Sequence, residues 1–265
     1  MSSLLNLRFD NDIAFVELNR PDKANAINMA MFHQLDKALR VIRSKRHLRA
    51  VCIQSTNADF STGIDVKSTL SDPIAAARLL FKWTPWCPNL AQRVCVGWKS
   101  LAIPVLCAVR GRCWGAGLQM ALGADVRVIH SNTSMAIMEP KWGLIPDMGG
   151  SLALRALMPL DQAIKITMTT NEVNAQDALA HGLATEIDDD PETRIHALAT
   201  QLCERSPDTL ASIKRQYHYA WNQHHSTVLM REWLEQLYML ISPNQRIATQ
   251  RSKGNTQAAF KRRLM

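Results

Sequence analysis

A short apolar run, Pro104-Val-Leu-Cys-Ala-Val109, passes through Arg110-Gly-Arg-Cys-Trp114 and the small-residue turn Gly115-Ala-Gly117 into a helical stretch ending near residue 123. A second apolar run follows over 125–130. This strand, turn, helix, strand spacing limits the fold more than any other feature of the chain, and it recurs on either side. Residues 5–9 and 13–18 (Ile13-Ala-Phe-Val-Glu-Leu18) are β-rich and separated by Asp10-Asn11-Asp12, a hairpin-like start. Residues 29–46 set Met29, Phe32, Leu35, Leu39 and Ile42 at helical spacing, and the strand Ala50-Val-Cys-Ile-Gln54 comes next. Another helix is expected from about residue 147, with Asp147 as a natural N-cap. Helix and strand alternate to residue 190, which predicts an α/β architecture.

The pattern changes after Asp188-Asp-Asp-Pro191. Residues 192–205, 207–223 and 226–241 read as helices with no strand between them. Two regions follow: a mixed core over 1–190 and an all-helical region over 191–265. No internal repeat of fixed period is visible. The stretch Ser71–Gly97 stands apart, with Trp83, Pro85, Trp86 and Pro88 close together. It either packs on a neighbour or takes part in the chemistry. Trp114 and Trp142, aromatics in apolar context, are expected in the core, with the lining of a ligand pocket as the alternative.

Composition removes several classes. The chain is 47% hydrophobic with 11 Gly and 11 Pro, which excludes disorder and collagen. It has no run of about 18 uninterrupted apolar residues, so no spanning helix and no membrane partner is expected. Six cysteines form no C-x-x-C pair and read as buried reduced thiols. Eight histidines form no H-x-x-x-H or H-E-x-x-H pattern, so no metal site is expected. Residues 1–10 lack the basic-then-apolar layout of a secretory signal, and Arg263-Leu264-Met265 is not a Ser-Lys-Leu ending. A cytoplasmic location is expected. The formal charge of +8 is scattered, apart from Arg40–Arg49 and Lys261-Arg262-Arg263. Phosphates on a small molecule account for it as well as nucleic acid does.

The turn at 115–117 carries the first chemical signal. Small residues there let a ligand approach the backbone, and the first amides of a helix lack intrahelical acceptors, so the turn offers N–H groups to an anion. It is not G-x-G-x-x-G, not G-x-x-x-x-G-K-[ST] and not G-x-S-x-G. Four further stretches complete the pattern: Asn19-Arg-Pro-Asp-Lys-Ala-Asn-Ala-Ile27, Asp59-Phe-Ser-Thr-Gly-Ile-Asp-Val-Lys67, Ser134-Met-Ala-Ile-Met-Glu-Pro-Lys-Trp-Gly-Leu-Ile-Pro-Asp-Met-Gly-Gly150 and Asn174-Ala-Gln-Asp-Ala-Leu-Ala-His-Gly-Leu183. Together, in this order, they resemble the enoyl-CoA hydratase/isomerase (crotonase) superfamily across nearly the whole chain.

The resemblance implies a core of repeated β-β-α turns and a C-terminal helical region used in a homotrimer or a dimer of trimers. It implies an acyl-CoA thioester as substrate, with no cofactor beyond the coenzyme A that the substrate carries. The thioester oxygen would sit between the main-chain N–H groups of Ile64 and Ala116. Such an oxyanion hole is worth about 2.7–4 kcal/mol per donor. Family members usually carry Gly where Ala116 stands; alanine keeps the amide. Coenzyme A contacts fall by resemblance on Lys23, Ala24, Asp65 and Lys67. Asp125 matches a family position and reads as structural.

Hydratases of the family use carboxylates at the positions of Gln119 and Glu139, and here the first is an amide, which accepts no proton near neutral pH. Glu139 followed eight residues later by Asp147 is similar to the dienoyl-CoA isomerase branch, although that branch has an Asp where Gln119 stands. Hydration needs a base for water and an acid for the α-carbon. Moving a double bond needs one group that removes a proton and returns it, so Glu139 with two amides favours isomerisation. Hydration of a 2-enoyl-CoA and acyl-CoA binding without turnover are the alternatives. The charge of +8 leaves RNA binding as a third.

Overall fold

The computed structural model describes residues 4–70, 73–221, 223–255 and 257–264. Strands β1 (Leu5–Asp10) and β2 (Ile13–Leu18) form the expected antiparallel hairpin, with Leu5 opposite Leu18 and Asp10 opposite Ile13. Asn11 and Asp12 close it at φ 46° and 64°, the left-handed pair a two-residue hairpin turn needs. β3 (Ala50–Ser55), β4 (Val105–Val109), β5 (Arg112–Trp114), β6 (Val126–Ile129), β7 (Ser134–Ala136), β8 (Val173–Asn174) and β9 (Glu186–Ile187) follow. A six-stranded sheet has the order β1-β2-β3-β4-β6-β9, parallel beyond the first hairpin. A three-stranded sheet, β5-β7-β8, lies apart from it.

The central strands are buried on both faces, which is why they read as unbroken apolar runs. Ala14, Val16, Val51, Ile53, Val105 and Cys107 point into the main core. Their alternate neighbours Ile13, Phe15, Cys52, Leu106 and Ala108 point the other way, against Ile195 and Ala199.

Helix α1 (Met29–Ser44) starts where the Asn28 side chain accepts the Met31 N–H at 2.9 Å, and it buries Met31, Phe32, Leu35, Leu39 and Ile42. α2 (Val66–Leu70), α3 (Pro73–Leu80) and α4 (Leu90–Val96) follow, so the Trp/Pro-rich stretch becomes two helices joined by an exposed loop. Asn89 and Gln92 form a reciprocal capping box at α4. Next come α5 (Ala116–Ala121), α6 (Gly150–Leu157), α7 (Leu160–Thr169) and α8 (Ala175–Ala180). α6 begins later than expected. Its N-cap is Gly149, at φ 94°, and Asp147 lies two residues ahead in the turn, not at the cap.

The chain ends in α9 (Pro191–Cys203), α10 (Pro207–Ala220), α11 (His225–Ile241) and α12 (Pro243–Ser252). α9 supplies Ile195 and Ala199 to the second face of the large sheet. α10 is latched to the sheet by Asp125, whose carboxylate meets Lys214 Nζ at 2.6 Å and His218 Nε2 at 3.2 Å and accepts the Val105 N–H at 2.8 Å. Cys52, Cys95, Cys107 and Cys113 are buried, and burial pushes the Cys52 thiol up to about 12, so it stays protonated at neutral pH. Two sequence expectations fail at the surface: Cys87 is exposed, and so is Trp142. No helix among the described residues is long and apolar enough to cross a membrane.

Candidate active site

The segment after β3 is stitched on both sides. Ser61 N–H donates to the Arg112 carbonyl at 3.0 Å and its own carbonyl accepts from Trp114 N–H at 2.9 Å. On the other side, Thr62 N–H reaches the Ala24 carbonyl at 3.1 Å, Ile27 N–H the Gly63 carbonyl at 2.7 Å, and Asp65 N–H the Ile27 carbonyl at 3.0 Å. The amide of Ile64, between these, donates to no other described residue. Asn25 holds the loop from below. Its buried side-chain amide donates to Ser55 Oγ, Asn57 Oδ1 and the Asp59 carbonyl at 3.0–3.1 Å.

Two glycines bring this segment against the start of α5. Gly63 has φ +97°, and a Cβ built there would lie 3.1 Å from the Trp114 carbonyl oxygen and 3.5 Å from the Ala116 nitrogen. Gly115 has φ 50° and ψ −121°, a conformation that L side chains rarely adopt. The positive φ therefore falls on Gly115, while Ala116 takes ordinary helical geometry at the first position of α5. Its amide faces out of the helix end and donates to no other described residue. Gly117 allows the close approach, since a Cβ there would sit 2.7 Å from that of Ser61.

Glu139 opens a 3₁₀ turn, Glu139–Trp142, just after β7, and its side chain is buried. A Cβ added at Gly115 would lie 3.3 Å from Glu139 Oε1, so the carboxyl rests on the turn that carries the Ala116 amide. Gln119 Nε2 donates to Oε1 at 2.7 Å, and Oε2 is buried without a hydrogen-bond partner among the described residues. Burial raises the Glu139 carboxyl above the usual range, against the lowering effect of its hydrogen bonds, and the charge of Asp147 adds a smaller raise. Gln119 is itself buried, and its Oε1 accepts the Met148 and Gly150 N–H groups, each at 3.0 Å. Asp147, on that same turn, is partly buried, and its carbonyl accepts from Gln92 Nε2 at 3.1 Å.

Other residues expected at the site are spread around its edge. Lys23 is exposed on the short turn Pro21–Lys23, and Ala24, at φ 46°, uses its carbonyl to hold Thr62. The Asp65 carboxylate is engaged within the protein: Arg20 Nη2 lies 2.8 Å away, and Ser68 N–H donates to it at 3.2 Å. Burial alone would raise this carboxyl, but the Arg20 and Ser68 contacts outweigh it and hold it below its ordinary value. Lys67 lies on α2, and its side chain falls outside the described residues. Arg20, which also donates to the Ala26 carbonyl at 2.7 Å, has no role that the sequence alone marks. Its partner is 45 positions away, and no spacing rule links the two.

Chemically, the arrangement offers two unspent main-chain donors on adjoining segments and one buried carboxyl whose free oxygen can take a proton. No group of three or more His, Cys, Asp or Glu able to hold a metal ion occurs among the described residues. Residues 8–254 match the family described as enoyl-CoA hydratase/isomerase. The fold is similar to the crystal structure of enoyl-CoA hydratase from Thermoplasma volcanium GSS1, with a TM-score of 0.84 and 25% identity over 94% of this chain and 97% of that one. It is also similar to the enoyl-CoA hydratase from Polaromonas sp. JS666 (TM-score 0.86, 23% identity, 97% and 99% covered). A third likeness is to the enoyl-CoA hydratase from Bacillus anthracis (TM-score 0.87, 19% identity, 98% and 99% covered).

Proposed function

The chain belongs to the enoyl-CoA hydratase/isomerase family, and on that basis we propose that it moves a carbon–carbon double bond within an enoyl-CoA thioester, with Glu139 carrying the proton. The observation that carries this reading is a single buried carboxyl with one oxygen held by Gln119 and the other unpartnered. The thioester oxygen sits between the Ile64 and Ala116 N–H groups. Glu139 Oε2 removes a proton from Cα of a β,γ-unsaturated substrate, and the electron pair moves onto the thioester oxygen to give a dienolate. That charge is where two preorganised donors act most strongly. Glu139 then returns the proton to Cγ, the electrons fall back from oxygen, and the double bond lies between Cα and Cβ. Nothing is consumed.

Gln119 takes no proton and serves to hold Glu139. Asp147 acts on Glu139 through its charge. Lys23, Ala24 and the Asp65–Lys67 stretch border the path of the coenzyme A moiety, and no cofactor beyond that moiety is required. Oligomerisation as a trimer or a dimer of trimers draws support from exposed apolar side chains in the C-terminal helical region, Trp221 at the end of α10 and Trp233 and Leu240 on α11 among them. This assigns chemistry to residues 1–190 and assembly to 191–265, in a cytoplasmic enzyme.

Hydration of 2-enoyl-CoA is the second reading, favoured by the names of the solved relatives. It requires Glu139 to serve first as base to water and then as acid to Cα. The test is to incubate the purified protein with 2-enoyl-, 3-enoyl- and 3,5-dienoyl-CoA and follow product mass and absorbance. Isomerisation leaves the mass unchanged and shifts the chromophore; hydration adds one water. Binding of all three without turnover would overturn both in favour of a non-catalytic acyl-CoA binder.

A further inference from the structure

The loop between α3 and α4 turns its largest side chains into solvent. Trp83 is 88% and Trp86 92% exposed, and Phe81 meets Trp83 edge-on with ring centroids 5.5 Å apart. An indole gives up a large hydrophobic stabilisation when it is left in water, so two of them on one short loop call for a partner surface. A second exposed group follows the candidate base: Trp142 and Ile145, the latter 75% exposed. The helix that follows the first loop, α4, packs on the turn that follows the second group. Gln92 Nε2 donates to the Asp147 carbonyl at 3.1 Å, and a Cβ at Gly149 would lie 2.4 Å from Val96 Cγ1.

Charge says what the partner is. From Pro73 to Ala124 the sequence contains no aspartate or glutamate, and residues 140–146 contain none either. Arg78, Lys82 and Lys141 are exposed beside the aromatics. Indoles flanked by Lys and Arg without acidic residues suit the headgroup region of a bilayer, where the ring sits at the polar boundary and the cation meets anionic lipid.

We propose that Phe81, Trp83 and Trp86, with Trp142 and Ile145, form a rim that docks on the surface of a membrane rich in anionic phospholipid. Such a contact lies on the bilayer and needs no spanning helix, so the lack of one in the sequence does not bear on it. The docking is independent of which reaction the site performs.

The test is co-sedimentation of the full chain with vesicles of phosphatidylglycerol and phosphatidylcholine, against vesicles of phosphatidylcholine alone, at low and moderate salt. The protein should pellet with the anionic vesicles, less so as salt rises. Trp83→Ser with Trp86→Ser should weaken partitioning by about tenfold or more, and Lys82→Glu should weaken it about fivefold or more, the joint scale of a buried ring and a cation at the surface. Both positions are solvent-exposed, so the thermal midpoint and acyl-CoA binding should stay unchanged. Failure to pellet with anionic vesicles would overturn the proposal, and so would pelleting that ignores these substitutions. Dissociation of an oligomer by the Trp83→Ser/Trp86→Ser protein would also overturn it, assigning the rim to a second copy of the chain.

Discussion

Gln119 Nε2 donates to Glu139 Oε1 at 2.7 Å while the oxygen of the same amide accepts the Met148 and Gly150 N–H groups. One neutral side chain thus fixes the carboxyl and the turn that carries Asp147. An amide suits the position because it has a donor for the carboxylate and an acceptor for the two backbone amides. A second carboxylate would keep the acceptor and lose the donor.

Replacing Glu139 by Gln removes the only proton carrier of the proposed reaction and leaves the pocket nearly unchanged in volume. Turnover of 3-enoyl-CoA should fall by about 10²–10⁴, the usual worth of a positioned general base. The affinity for a saturated acyl-CoA, measured by calorimetry, should hold within a factor of a few. Unaltered turnover would remove Glu139 from the mechanism.

The raised Glu139 carboxyl has consequences for activity and stability that run in opposite directions with pH. As a base it works ionised, so kcat/KM should climb with pH through a value above the ordinary carboxyl range. For stability, the folded state binds this proton more tightly than the unfolded chain does. Between the ordinary and the raised value the folded protein therefore holds more protons, and stability falls as pH rises. Denaturant melts across that window should show this slope in the parent protein and a flatter one in Glu139→Gln.

Replacing Gln119 by Glu tests the amide's role. Two carboxyls at hydrogen-bonding distance cannot both ionise readily, so one proton is retained by the pair. The ascending limb of the kcat/KM profile should move to higher pH, and further than in Gln119→Ala, which loses only the hydrogen bond that lowers the Glu139 carboxyl. An unmoved profile in Gln119→Glu would mean the two side chains are not coupled.

The large sheet was legible in the sequence because its central strands are covered on both faces, so Val105–Val109 and Val126–Ile129 appear as apolar runs. The hairpin was legible because Asn11 and Asp12 are turn formers. What escaped detection depended on backbone geometry or on distant partners. The start of α6 is not readable from residue type, because Asp147 is a good cap by type, whereas a left-handed Gly149 sets the boundary. Apolar character placed Trp142 in the core, yet residue type does not say which apolar groups a fold leaves outside. The pairing of Arg20 with Asp65 and the hold of Gln119 on Glu139 arise only when separate segments meet. Motif order singled out Glu139, Ile64 and Ala116 as candidates, while the two glycines that bring their segments together emerged from the backbone.

Gly63 sets the approach of the Ile64 amide to the start of α5, so Gly63→Ala should act on the chemistry more than on the fold. Its φ of +97° is unfavourable for alanine, and the new Cβ would lie 3.1 Å from the Trp114 carbonyl oxygen. The strain should cost about 1–3 kcal/mol of stability in a denaturant titration. Displacing one of the two proposed oxyanion donors should lower kcat by about 10²–10³. The proposed coenzyme A contacts lie on other residues, so substrate affinity should change far less and the loss should appear in kcat and not in KM. A parallel rise in KM would mean that Gly63 supports the carrier loop instead.

Arg20 and Asp65 make the last case, because their contact joins the loop bearing Lys23 and Ala24 to the helix bearing Lys67. The side chains are largely buried, and the ion pair lies at 2.8 Å. Removing the guanidinium in Arg20→Ala leaves the carboxylate without its main partner, and the Ala26 carbonyl loses its donor as well. A stability loss of about 1–3 kcal/mol is expected for a buried group left unsatisfied. Asp65 is held below its ordinary value by Arg20 and Ser68, so this contribution is present at neutral pH and is lost as pH falls through the depressed value. The functional effect should be confined to KM for acyl-CoA, since neither residue touches Glu139 or the two amides. Arg20→Lys, which keeps the charge but not the forked geometry, should restore part of the stability and part of the affinity. A fall in kcat with KM unchanged would place Arg20 in the chemistry and not in the holding of the carrier loop.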